Sequence, residues 1–155
     1  MKIHMTTDYG IRVMCCLYSK NTLITANELS EQLCISYGYL NKVLGCLRQA
    51  GMVGVLHGRF GGYQIAESAR DVTLYDIIQV MEGDIQINSC LGMAGFCNKG
   101  AIETCLVHAV LQSVQKELVD NLRRVHLSDI SETARGLHAL NNIHTNIRRS
   151  ICAPE

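Results

Sequence analysis

The sequence predicts a mostly α fold with a small β wing: a winged helix-turn-helix followed by a long dimerisation helix. Three observations predict it. Two short helical segments near the front of the chain lie two or three residues apart, so they cross at a steep angle. Two β-prone runs, residues 53–57 and 63–66, flank the glycine-rich segment 58–62 and read as a hairpin. Residues 102–125 carry apolar side chains at mixed three- and four-residue spacing, the pattern of a helix that needs a partner surface.

Each element has its own signal. A first helix is expected over residues 7–18. Thr25 and Glu28 form a capping box, in which hydroxyl and carboxylate each satisfy a free backbone N–H, and a short helix runs on through Leu33. Ser36 caps the next helix, where Leu40, Val43, Leu44 and Leu47 follow the i, i+3, i+4, i+7 rule, and Gly51 ends it. After the hairpin, Thr73 caps a helix with Leu74, Ile77, Ile78 and Met81 on its apolar side, and Gly83 stops it. Residues 84–104 contain Gly92, Gly95 and Gly100 and show no period. In the long helix Val107, Leu111, Val114, Leu118, Leu122 and Val125 form one stripe, widened by Leu106 and Val110. A small winged head cannot cover such a stripe, so a homodimer is expected. Residues 126–128 break the pattern, and one more helix is expected from Asp129. There is no internal repeat.

Composition narrows the class. The chain has 155 residues, 48% apolar and 18% charged, with a single proline, so it builds a core and is not low-complexity. Aromatic residues are 5% and Trp is absent, which leaves the core to Leu, Ile, Val and Met. No apolar run reaches membrane-spanning length, and no basic start leads into an apolar stretch with a cleavage site; a cytoplasmic protein with no membrane partner is expected. The net charge of zero is uneven. Residues 1–66 hold 6 basic and 3 acidic side chains, residues 67–100 hold 2 and 5, and residues 101–155 hold 6 of each. The mildly basic front permits a nucleic-acid partner.

A DNA-reading helix needs polar side chains at its N-terminal end, facing the major groove. Ser36, Tyr37, Tyr39, Asn41 and Lys42 occupy that end, and Arg48 lies further along the polar side. Asn pairs two-pronged with adenine, Lys reaches guanine or phosphate, and Tyr bonds phosphate. In the wing, Arg59 projects at the tip, and Gly61 and Gly62 let the backbone approach closely. Any one of these alone reads as a solvated surface position; their ordered arrangement reads as a DNA-binding surface.

Eight cysteines in a chain without a secretion signal point to metal or redox chemistry. Cys15, Cys16, Cys34 and Cys46 fall in helix-like segments and are expected to be buried small apolar residues; Cys152 sits near the end of the chain. Cys90, Cys97, Cys105 and His108 are spaced C-x6-C-x7-C-x2-H. Thiolates suit iron–sulfur clusters or zinc. The C-x2-C pairing of zinc fingers is missing, and the wide gaps suit a cluster at least as well. Three unliganded thiols beside a helix-packing histidine are the plain alternative.

Several motifs together resemble the family of iron–sulfur winged-helix transcriptional regulators that includes IscR and NsrR, over nearly the whole chain to about Glu132. They are Thr6-Thr7-Asp8-Tyr9-Gly10-Ile11-Arg12, Ser36-x-x-Tyr39-Leu40, Gly58-Arg59-x-Gly61-Gly62-Tyr63, Leu74-x-Asp76-Ile77-Ile78, the three-cysteine loop, and Val125-His126-Leu127-Ser128-Asp129-Ile130. The resemblance implies a homodimeric repressor or activator that binds a palindromic double-stranded operator with an affinity that follows its cluster. Asp8 resembles the nitric-oxide-sensing branch, where that carboxylate ligates the other subunit's cluster; Cys105 and His108 resemble the cluster-homeostasis branch, where the histidine is the fourth ligand. Both features stand in this chain, and the loop spacings differ from either branch, which leaves a two-iron or a four-iron cluster open.

The expected organisation is a winged helix-turn-helix DNA-binding domain over residues 1–83, a cysteine-rich cluster-binding loop over 84–104, a dimerisation helix over 105–126 and a C-terminal helical segment over 127–155. Two other functions compete. One is a zinc- or thiol-based winged-helix regulator without a cluster. The other is a cysteine-dependent redox enzyme or electron carrier, for which His108 beside Cys105 could supply a base. No motif supplies the rest of an active site, and the expected protein is not an enzyme.

Overall fold

The computed structural model describes residues 3–92, 97, 100 and 102–131. Its first three helices are α1 (Met5–Lys20), α2 (Ala26–Leu33) and α3 (Tyr37–Gln49); the hairpin is β1 (Val53–Leu56) and β2 (Gly62–Ile65); α4 (Leu74–Glu82), α5 (Leu106–Arg124) and α6 (Leu127–Ser131) follow. Three single 3-10 turns, Glu67–Ala69, Ser89–Leu91 and Ile102–Thr104, lie in the connections.

α1 is the spine of the head. Gly10, Val13, Met14 and Leu17 recur at helical spacing and are buried, so one face of the helix enters the core. At Gly10 an added Cβ would come within 3.0 Å of Met81 Cγ, so glycine lets α4 pack tightly across α1. α1 begins earlier than expected, with His4 as its N-cap, and continues to Lys20, where Asn21 closes it in the left-handed region (φ 48°). Asn is one of the few side chains that tolerates that backbone.

α2 begins at the expected capping box. Thr25 Oγ1 accepts the Glu28 N–H, and the Glu28 carboxylate accepts the Thr25 N–H at 2.8 Å. Leu40, Val43, Leu44 and Leu47 of α3 are buried as their spacing requires. Ser36 stands at the N-cap, but its hydroxyl makes no capping bond. At the other end the Met52 N–H reaches Leu47 O and the Gly51 N–H reaches Arg48 O, the paired bonds of a Schellman closure, with Gly51 at φ 72°. Each leucine of this stripe contributes roughly 1.5–3 kcal/mol by burial.

β1 and β2 pair antiparallel with Val53 opposite Ile65 and Leu56 opposite Gly62. Tyr63 also exchanges both backbone hydrogen bonds with Ile24, which fastens the free edge of the wing to the α1–α2 connection. Gly62, expected in the turn, is the first residue of β2.

α4 opens on a second capping box. Asp76 takes the Thr73 N–H at 2.8 Å while Thr73 Oγ1 accepts the Asp76 N–H. Thr73→Ala removes one half of it and is expected to lower stability by about 1 kcal/mol, read as a shifted urea midpoint with an unchanged slope.

The long helix starts later than its periodicity implies. Ile102–Thr104 is a 3-10 turn, and Cys105 is the N-cap of α5, its sulfur accepting the His108 N–H at 3.4 Å. The far end of α5 is clamped to the head: the Leu74 N–H reaches Val125 O at 2.7 Å, the Leu127 N–H reaches Val72 O at 2.9 Å, and Arg123 lies over the Tyr75 ring. α6 begins at Leu127, two residues before its expected start, where the Asp129 carboxylate accepts the His126 N–H at 2.9 Å and so satisfies the backbone at the helix start. Leu127 closes the core. The remainder of the expected C-terminal segment, Cys152 included, lies outside the described residues. No helix among the described residues is long and apolar enough to cross a membrane.

Candidate nucleic-acid interface and thiol loop

Burial of one face of α3 decides what the other presents. Ser36, Tyr37, Tyr39, Asn41, Lys42 and Arg48 are all exposed. Helical geometry places Gly38, Lys42, Gly45 and Gln49 opposite the buried leucine stripe, so Gln49 belongs to this surface although composition does not single it out. A Cβ at Gly38 or Gly45 would meet nothing within 4 Å, so the protein itself demands no glycine at either position.

Lys42 is held from below. Its Nζ lies 5.4 Å from the centroid of the Tyr39 ring, and Tyr39 meets Tyr9 of α1 edge-on at 6.4 Å. Sequence reading places Tyr9 in a family motif but gives it no part in the DNA-facing surface, because nothing local links it to α3.

The wing turn is closed by the Gly61 N–H to Gly58 O at 3.0 Å, with Gly58 at φ 118°. A Cβ at Gly61 would collide with Leu56 O, and one at Gly62 would sit 2.7 Å from Ile24 O. Both glycines are therefore required by the wing's own packing, whatever else approaches them. Arg59 and Phe60 form the exposed tip, the guanidinium lying over the phenyl ring at 5.8 Å. Between residues 32 and 66 the chain carries Lys42, Arg48 and Arg59 and no Asp or Glu, so α3 and the wing form an acid-free basic surface.

In the loop, Cys90, Cys97 and Cys105 are each half-buried. His108 joins two of them: its backbone N–H donates to Cys105 Sγ, and its ring Nδ1 lies 3.5 Å from Cys90 Sγ. The loop is tied to the middle of α5 by the Ile87 N–H, which donates to Gln115 Oε1 at 3.0 Å. Among the described residues no group of three or more His, Cys, Asp and Glu is gathered as a metal-holding set. The donor chemistry nonetheless fits a cluster, with three thiols and an imidazole within one loop and the helix turn that follows it. Asp8 is on α1, where its carboxylate pairs with Arg12 at 2.9 Å.

The other thiols divide differently from expectation. Cys15 and Cys16 are partly buried, whereas Cys34 and Cys46 are exposed. Cys34 is not helical: it closes α2 at φ 53°, outside the hydrophobic stripe. Cys46 lies beside that stripe rather than within it, which a three-in-four apolar pattern cannot distinguish. Burial, with the adjacent Cys16, pushes the Cys15 thiol up to about 11, so it is protonated at neutral pH. Iodoacetamide at pH 8 is therefore expected to label Cys34 and Cys46 first and Cys15 last, followed by peptide mass spectrometry of the folded protein. Labelling of Cys15 as fast as Cys34 would contradict this.

A helix-turn-helix with a basic reading helix and a tethered wing defines a winged-helix transcriptional regulator. Residues 3–133 match the Rrf2 family, described as an iron-dependent transcriptional regulator, and the chain belongs to that family. It is 24% identical over 152 residues to the HTH-type transcriptional regulator IscR of Pectobacterium carotovorum, covering 97% of this chain and 91% of that protein. Among solved structures, T. potens IscR aligns with a TM-score of 0.67 at 25% identity, covering 86% of this chain and 88% of that one. The oxidized form of Staphylococcus aureus CymR aligns with a TM-score of 0.65, also at 25% identity, over 85% of this chain and 97% of that one. The chain is thus a DNA-binding transcriptional regulator and not an enzyme.

Proposed function

We propose that the protein is a cytoplasmic homodimeric regulator whose affinity for a palindromic operator is controlled by an iron–sulfur cluster. The ligands are Cys90, Cys97 and Cys105, with His108 or Asp8 of the partner subunit as the fourth. The observation that carries this reading is the placement of His108, whose imidazole Nδ1 lies 3.5 Å from Cys90 Sγ while its backbone N–H bonds Cys105 Sγ, so that one residue links two of the three loop thiols. When bound, such a cluster supplies one-electron redox chemistry and a target for nitric oxide. The chain's own residues do the rest. Ser36, Tyr37, Tyr39, Asn41, Lys42 and Arg48 read and anchor DNA in the major groove, and Arg59, with Gly61 and Gly62 shaping its turn, anchors the wing. Leu106, Val107, Val110 and Val114 form the start of the dimer seam; they are 50–83% exposed on a helix with no buried residue of its own.

In this reading residues 1–83 bind DNA, 84–104 hold the cluster, 105–126 dimerise and 127–155 form the C-terminal segment. The loop packs on α5, so a change in the loop can tilt the helix that pairs the two heads. It shifts operator binding only by the difference in affinity between the two arrangements.

Anaerobic purification, an absorption spectrum, and iron and sulfide counts test the proposal. Two or four irons with matching sulfide per subunit support it and fix the cluster type. Zinc without sulfide, or no metal, replaces it with the second reading, a zinc- or thiol-based regulator. That reading draws on the imidazole–thiol contact itself and on the likeness to CymR, whose structure is known in an oxidized form.

A further inference from the structure

Phe60 is the most exposed large apolar side chain among the described residues, at 86%. It does not sit on a loose loop. With Arg59 it fills the centre of the four-residue turn 58–61, closed by the Gly61 N–H to Gly58 O. The strands behind the turn are paired to each other and, through Tyr63, to Ile24. The wing is thus a braced stalk whose narrow tip presents one aromatic ring and one guanidinium in mutual contact. The surface leading to it, residues 32–66, carries no acidic side chain. Charge complementarity selects a polyanion as the occupant of this tip, and an exposed phenyl ring beside a cation is suited to a groove lined by sugars and base edges.

We propose that Phe60 is a specificity-determining residue that enters the DNA minor groove beside the segment read by α3 and wedges at a flexible base step. This rests on the DNA-binding surface assigned above. The minor groove is about 6 Å wide, narrow enough to admit a hairpin tip but not a helix. Where it is narrowest its negative potential is strongest and attracts arginine, the neighbour of Phe60 in the turn. Apolar side chains inserted between base pairs partly unstack them and bend the duplex by about 20–90°. Pyrimidine–purine steps such as TA and CA unstack at least cost, so a wedge selects them without any hydrogen bond to a base.

The test uses the anaerobically purified full chain and a random-sequence duplex library. The parent is expected to enrich a pyrimidine–purine step at a fixed distance from each half-site, to bend circularly permuted fragments carrying the enriched sequence, and to render a thymine at that step reactive to permanganate. Phe60→Ala loses the step preference, the bend and the permanganate signal, and binds about tenfold more weakly with an unchanged salt dependence. Phe60→Leu, still an apolar wedge, keeps most of all three. Arg59→Ala keeps the bend but lowers the salt slope by about one. A Phe60→Ala variant that selects the same step and bends the same fragments as the parent overturns the inference while the DNA-binding surface stands. A parent protein that enriches no sequence overturns that surface, and this inference with it.

Discussion

Val110→Glu is expected to convert the protein into a folded monomer that no longer holds its operator, with the far-UV circular dichroism of the parent and a midpoint lowered only by the stability that dimerisation contributes. Val110 is 62% exposed, so the substitution removes little packing within the subunit. In a twofold-symmetric pair the same position occurs on both copies, and two carboxylates enter an apolar seam that offers them no partner. The monomer keeps a complete reading head, because α3 and the wing lie far along the chain from the substitution and pack on α1 and α2. It loses the second half-site, whose contribution through effective concentration is about 100- to 10,000-fold. Val114→Glu, at 50% exposure, should act in the same way. Leu118 is a poorer probe than its place in the stripe implies, since its own chain already half covers it. Light scattering with an operator titration reads the result, and a dimer mass retained by both variants would refute the seam.

Sequence alone revealed those elements whose signals are local. The Thr25–Glu28 capping box, Thr73 as the cap of α4, the leucine stripe of α3 and its glycine closure lie within a few residues of the structure they specify; that Asp76 completes a second box emerged only from the fold. Errors arose where two signals overlap. Residues 102–104 continue the apolar period of α5, but Cys105 caps the helix, and a sulfur acting as a cap is invisible to a periodicity argument. Cys46 lies on an amphipathic helix just outside its buried stripe, where a residue type that is usually buried gives the wrong answer. Long-range pairs were out of reach altogether. Tyr9 against Tyr39 and Ile24 against Tyr63 join residues separated by 30 or more positions, and no local pattern couples them. The candidate site divides in the same way. The spacing of Cys90, Cys97, Cys105 and His108 identified the loop, whereas the contact of His108 with Cys90 needed the fold.

The fourth ligand separates two designs, and His108→Ala and Asp8→Ala distinguish them. Neither variant should unfold the chain. In His108→Ala the backbone N–H that bonds Cys105 Sγ remains, so the start of α5 keeps its cap. In Asp8→Ala only an exposed i,i+4 pair with Arg12 is lost, which contributes about 0.3–0.5 kcal/mol. Local geometry favours His108, whose ring nitrogen already lies 3.5 Å from Cys90 Sγ. Asp8 has the stronger link to the DNA surface. It precedes Tyr9, Tyr9 meets Tyr39, and Tyr39 carries Lys42, so a pull on α1 from the partner subunit's loop would reach the reading helix through three side chains. A carboxylate is the harder and less usual donor to iron in a cluster, which tips the expectation to His108. Reconstituted anaerobically, His108→Ala is therefore expected to show an altered absorption spectrum and cluster loss accelerated roughly tenfold or more, with Asp8→Ala like the parent. The reverse result assigns the ligand to Asp8 of the partner subunit, and then Tyr9→Leu should uncouple operator affinity from cluster state while leaving the spectrum intact. Parental spectra and lifetimes in both variants would exclude both residues and leave the fourth position to water, a small thiol or another side chain.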